Sequence, residues 1–127
     1  MTPTRPLTDD EMNLARWMLD NGSAEASMYV DQLLRAEATS WRCPCGCASF
    51  NFKIRGLPEA PPGVHIIGDY LIGDDAHLSG AFIFQSGGIL SGVELYGLAG
   101  EAPKVIPMPN ELRRDDDPPP NARQLSA

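Results

Sequence analysis

The sequence predicts an α+β domain: two N-terminal helices packed on a four- or five-stranded antiparallel meander sheet, followed by a Pro-rich C-terminal strap and tail. Three observations predict it. Apolar residues recur at helical spacing from Met12 to Leu34, the period falls to two around Phe50, and Gly-containing turns then divide the chain into runs of strand length. With 127 residues, 43% of them apolar, the chain has enough core for one domain. Residues 1–6 read as a flexible lead, 7–112 as the domain and 113–127 as a disordered acidic, Pro-rich tail.

The first helix opens with a capping box, Thr8 as N-cap and Glu11 three residues on, with Leu7 and Met12 at the staple positions. Met12, Ala15 and Leu19, widened by Leu14 and Met18, make its apolar stripe, and Asn21-Gly22 supplies the stop. Ser23 caps a second helix whose face is Ala26, Val30, Leu33 and Leu34, running to about Ala36. A connection of about three residues makes the two an antiparallel pair.

Phe50, Phe52 and Ile54 alternate with Ser49, Asn51 and Lys53, which is strand patterning with one apolar face. After a Pro- and Gly-containing loop from Gly56 to Gly63, turns at Gly73-Asp74-Asp75 and Gln85-Ser86-Gly87-Gly88 separate three runs, 65–72, 77–85 and 89–97. Residues 39–43 add an edge strand. From Glu101 onward, Pro103, Pro107, Pro109 and Pro118 to Pro120 forbid a regular ladder or helix, although Val105, Ile106, Met108 and Leu112 can still dock on the domain.

Ten Lys and Arg against seventeen Asp and Glu leave a net charge of −7, which disfavours direct contact with nucleic acid or an anionic membrane. Between Gly56 and Pro103 there are six acids and no Lys or Arg, so the sheet's loops should be acidic. Asp69, Asp74, Asp75 and Glu94, with Tyr96 as an aromatic anchor, are the candidate partner-binding residues, suited to a basic or nucleic-acid-binding protein. The opening residues lack the basic start and apolar run of an export signal, and no apolar stretch approaches a membrane span. Three cysteines fit a reducing, cytoplasmic setting. Edge strands of so small a sheet also leave room for a homodimer.

All three cysteines fall within Cys43-Pro44-Cys45-Gly46-Cys47. Thiolates favour zinc, which in structural sites takes four tetrahedral ligands. Cys43, Cys45 and Cys47 are the candidate ligands, with His77, or else His65, needed to complete the shell. A plain turn with partly buried thiols and a redox-active pair are the other readings, and a Cys43–Cys47 disulfide requires α-carbons within about 7 Å. Asp74, Asp75 and His77 supply too few ligands for a cation of their own, and Asp-Asp after Gly is ordinary turn chemistry. Neither histidine has an activated nucleophile in view, and Gly87-Gly88 and Gly97 to Gly100 match no phosphate-binding fingerprint.

Leu7-Thr8-Asp9-Asp10-Glu11, Cys45-Gly46-Cys47-Ala48-Ser49-Phe50, Gly87-Gly88-Ile89-Leu90-Ser91 and Glu94-Leu95-Tyr96 give residues 7–112 a likeness to known sequences. By these motifs the chain resembles a group of small bacterial proteins of unassigned function, with a Cys-Gly-Cys turn before a strand and a closing Leu-Ser, Glu-Leu-Tyr strand. The resemblance implies a compact bacterial cytosolic domain and carries over no catalytic residue. The functional expectation is therefore a small acidic, non-catalytic protein-binding module of inhibitor or immunity type, with no cofactor. The alternative is a structural zinc-binding or redox-active protein built on the cysteines.

Overall fold

The computed structural model of the protein describes residues 3–114. Helix α1, Asp9–Asp20, forms where its cap demands: the Glu11 N–H donates to Thr8 Oγ1 at 3.1 Å, and the Thr8 N–H donates to Glu11 Oε1 at 2.9 Å. Three acids in its first turn complement the helix dipole. The second helix is much shorter than its apolar spacing predicts. A 3-10 turn at Ala26–Tyr29 leads into a single α turn, α2, Val30–Leu33. Gln32 fastens this turn to the sheet. Its amide donates to Gly88 O at 3.0 Å and accepts from the Leu90 N–H at 2.8 Å, pinning this turn to a hairpin of the sheet. The chain then leaves as a strand at Ala36.

Seven strands follow the chain: β1 Thr4–Pro6, β2 Ala36–Thr39, β3 Phe50–Ile54, β4 His65–Ile72, β5 Ser79–Ser86, β6 Ile89–Gly97 and β7 Leu112–Arg113. They form one sheet in the order β1-β2-β3-β6-β5-β4-β7, with neighbouring strands antiparallel. The expected four- or five-stranded meander is thus corrected to a larger, strand-rich sheet, still of α+β class. Its centre, β4-β5-β6, is the anticipated meander. Gly87 and Gly88 close the β5-β6 hairpin as a two-residue turn with φ of 61° and 83°, a left-handed pair that glycine adopts without steric cost.

The extra strands come from segments without strand periodicity. Thr4–Pro6 pairs with Glu37–Thr39, so part of the expected flexible lead is the edge strand, and the strand expected at the edge over 39–43 lies earlier, at Ala36–Thr39, one place in from the edge. The Pro-rich strap runs back along the sheet. Pro103 O accepts from the Ala48 N–H at 2.9 Å, Ile106 packs on the core, and Leu112 pairs with Ile72. The tail expected at 113–127 lies outside the described residues from 115 onward.

Both helices cover one face of the sheet. Leu14, Met18 and Leu19 from α1 and Leu33 from α2 bury against Ile54, Ile67, Tyr70, Ile83, Leu90 and Val93. Each such side chain contributes about 1.5–3 kcal/mol by leaving water, and truncating Leu14 to Ala would cost about 2–5 kcal/mol. Among the described residues no helix is long and apolar enough to cross a membrane.

Candidate metal centre

The β2-β3 connection, residues 40–49, is organised by its own turn chemistry. Pro44 fixes one φ, the Gly46 N–H donates to Cys43 O at 3.0 Å, and Gly46 turns left-handed with φ of 86°. This curl gathers the three sulfurs: all lie within 4.8 Å of one another, and Cys43 Sγ is 3.0 Å from Cys45 Sγ. The Cys47 N–H donates to Cys45 Sγ at 3.3 Å. Cys43 and Cys47 are half-buried and Cys45 is exposed, all as free thiols.

At the end of this connection, next to β3, Ser49 ties the cluster to the sheet. Ser49 Oγ lies 3.1 Å from Cys47 Sγ and accepts from the Leu95 N–H of β6 at 2.8 Å. The thiols differ in acidity. Hydrogen bonding from Cys45 is the main cause that pushes the Cys43 thiol up, to about 11. Burial raises that of Cys47, but hydrogen bonds from Ser49 and the other two cysteines outweigh it and hold it below the ordinary thiol value.

Tetrahedral zinc with bonds of about 2.3 Å to sulfur needs sulfurs about 3.8 Å apart. Cys43 and Cys45 Sγ stand closer than that, at 3.0 Å, and no pair is more than 4.8 Å apart, so seating an ion requires the first two sulfurs to move apart by about 0.8 Å. Neither expected histidine joins the cluster. His77 Nδ1 lies 3.8 Å from Asp74 in an exposed turn, and His65 Nε2 lies 3.0 Å from Glu25 Oε1. The protein itself therefore offers three sulfur ligands, with no His, Asp or Glu grouped with them among the described residues.

The turn forms one wall of a cleft of about 580 Å³ between β1, β3 and the strap. Arg5, Arg42 and Lys104 line it, with Trp41, Phe50 and Ile106 supplying apolar surface. Its acid, Glu11, is buried and held by Arg5 through two 2.7 Å bonds. Sequence reasoning missed these cleft residues, because β1 and the strap reach the cysteines only through long-range pairing.

The expected partner-binding residues fall into two groups. Asp69, Glu94 and Tyr96 share the sheet face opposite the helices. Tyr96 lies across Gly80 of β5, where any Cβ would collide with its ring, and donates its hydroxyl to Asp69 Oδ1 at 2.8 Å. Phe82, paired in register between Asp69 and Glu94, stacks with Tyr96 and Phe84 at centroid distances of 5.9 and 5.7 Å. Asp74 and Asp75 sit apart, at one end of the sheet. Asp74 Oδ1 caps the 3-10 turn Asp75–His77 by accepting from the Ala76 and His77 N–H groups at 3.1 Å, so this acid has a local structural duty. Phe82 and Phe84 stand two apart in the apolar run Ala81-Phe82-Ile83-Phe84, and that spacing was the available signal that they share a face.

Compared with protein-family models, curated proteins and solved structures, the chain matches none.

Proposed function

We propose that this chain is a metal-binding protein whose Cys43, Cys45 and Cys47 hold one thiophilic cation, zinc in the first instance. The observation that carries this reading is the convergence of three sulfurs from one five-residue turn, anchored to the sheet through Ser49. Plain turn burial gives no reason for three thiols to point at one centre, and thiolate is the ligand class that selects zinc and other soft metals. A reducing cytoplasm keeps such thiols available. Protein purified without added metal is expected to carry one equivalent of zinc, and Cys43→Ser is expected to lose both the metal and thermal stability. Metal-free wild type with the melting temperature of Cys43→Ser would reject the reading.

A second reading is favoured by the open sheet face: a docking module for a basic protein, of inhibitor or immunity type. Its support is the aromatic floor of Phe82, Phe84 and Tyr96 bordered by Asp69 and Glu94, a composition that attracts Lys and Arg by charge and by cation–π contact. Glu94→Lys is the clean test, since Asp74 caps a turn and Asp69 holds Tyr96. It should slow association with the basic protein that co-purifies from the source cell and reduce the salt dependence of that rate. An unchanged rate would reject this reading.

A further inference from the structure

We infer that the thiolate centre keeps an open coordination position, and that a small organic carboxylate fills it from the cleft. This rests on the metal reading above. Three ligands from one turn leave one tetrahedral vertex, and among the described residues no further Cys, His, Asp or Glu groups with them. Zinc sites with three protein ligands and a free vertex are the ones that bind exogenous groups, whereas purely structural sites are closed by four.

The vertex has somewhere to face. The cleft beside the turn, about 580 Å³, is within the usual range for small-molecule sites. Its charge runs against that of the whole chain. Although the protein carries −7, the cleft gathers Arg5, Arg42 and Lys104, and its buried acid Glu11 is neutralised by Arg5. Lys104 shares a 3.5 Å pair with Glu101, both side chains exposed and open to screening by salt. Arg42 is exposed and makes no ion pair among the described residues. A divalent cation on three thiolates retains one negative charge, which Arg42 and Lys104 offset, leaving the cleft receptive to an anion.

Hydrogen bonding and shape narrow the ligand. A guanidinium fork matches a carboxylate, zinc accepts a carboxylate oxygen at about 2.0–2.2 Å, and Trp41, 42% exposed, offers a flat apolar wall for the rest of the molecule. The occupant is therefore an aromatic or otherwise apolar carboxylate, for which benzoate is the probe.

Cobalt(II) replaces zinc in such sites and reports on its shell by absorption. One equivalent of cobalt(II) added to the full chain should give an intense sulfur-to-cobalt charge-transfer band. Its absence would overturn the metal reading itself. With the band present, millimolar benzoate should change the visible d–d bands saturably. Arg42→Glu should weaken that response by about tenfold or more while leaving the charge-transfer band and the melting temperature intact. If Arg42→Glu loses the band, Arg42→Gln decides: a weakened benzoate response with the band retained supports the inference, and an unchanged response or a second loss of the band overturns it. Unchanged d–d bands with benzoate, or a response to inorganic phosphate alone, would overturn the carboxylate site and leave the metal reading standing.

Discussion

Ser49 Oγ stands 3.1 Å from Cys47 Sγ and, on its other side, accepts the Leu95 N–H at 2.8 Å. One hydroxyl thereby couples the last thiol of the cysteine turn to the β3-β6 ladder. Ser49 is buried, so Ser49→Ala leaves the Leu95 N–H without its acceptor and should cost about 1–3 kcal/mol by urea denaturation. Because the hydroxyl also orients a ligand, zinc affinity measured by chelator competition should fall about 10- to 100-fold. A stability loss with unchanged affinity would place Ser49 in the fold alone.

Glu11 ties α1 to the outermost strand. Burial would raise its pKa, but Arg5 and the Thr8 hydrogen bonds outweigh burial and hold it below the ordinary carboxylate value. A depressed folded-state pKa adds stability that is present at neutral pH and disappears as pH falls through that lowered value. Glu11→Gln should therefore be less stable than wild type at pH 7 and lose less on acidification. Amide exchange in β1 should accelerate in the same variant, since Arg5 belongs to that strand.

At alkaline pH, Tyr70 sets the trend. Its hydroxyl donates to Met18 O at 2.6 Å beneath α1, and burial pushes its pKa up to about 12. A raised folded-state pKa gives stability that is complete below about pH 10 and is lost as pH rises from there through about 12. Tyr70→Phe should cost about 1 kcal/mol at pH 7, from the lost hydrogen bond, and should flatten the alkaline limb of the stability profile. An identical alkaline limb in Tyr70→Phe would assign that loss to another group.

Gly80 is required by the ring that crosses it. A methyl group there would meet Tyr96, so Gly80→Ala should displace the ring, break its bond to Asp69 and destabilise the protein by about 1–3 kcal/mol. Gly46→Ala meets no neighbour, yet its φ of 86° makes it strained by about 1 kcal/mol, and its effect should fall on the cysteine turn and on zinc affinity. Thermal melts with and without zinc separate the two cases.

Local signals in the sequence were reliable where the physics is local. The Thr8–Glu11 box, the Phe50-Phe52-Ile54 alternation and the Gly87-Gly88 turn each specify structure within a few residues, and each stands where expected. Residues 36–39 and 4–6 became strands for a non-local reason, pairing with β3 and with each other, which no periodicity in so short a run can announce. The second helix is cut short because Ala36–Ala38 pairs with Phe52–Ile54 of β3, while Gln32 pins the remaining turn to the β5-β6 hairpin, 56 and 58 residues away in sequence. The cysteines were legible as a cluster, but spacing alone could not show that the turn at Gly46 brings all three sulfurs together and leaves both histidines elsewhere.

X-ray absorption at the zinc edge tests the thiolate centre most directly, on protein purified without added metal. Three sulfurs at about 2.3 Å and one lighter atom at about 2.0–2.2 Å are the expected shell. Zinc bound only by oxygen and nitrogen, or no zinc at all, would contradict it.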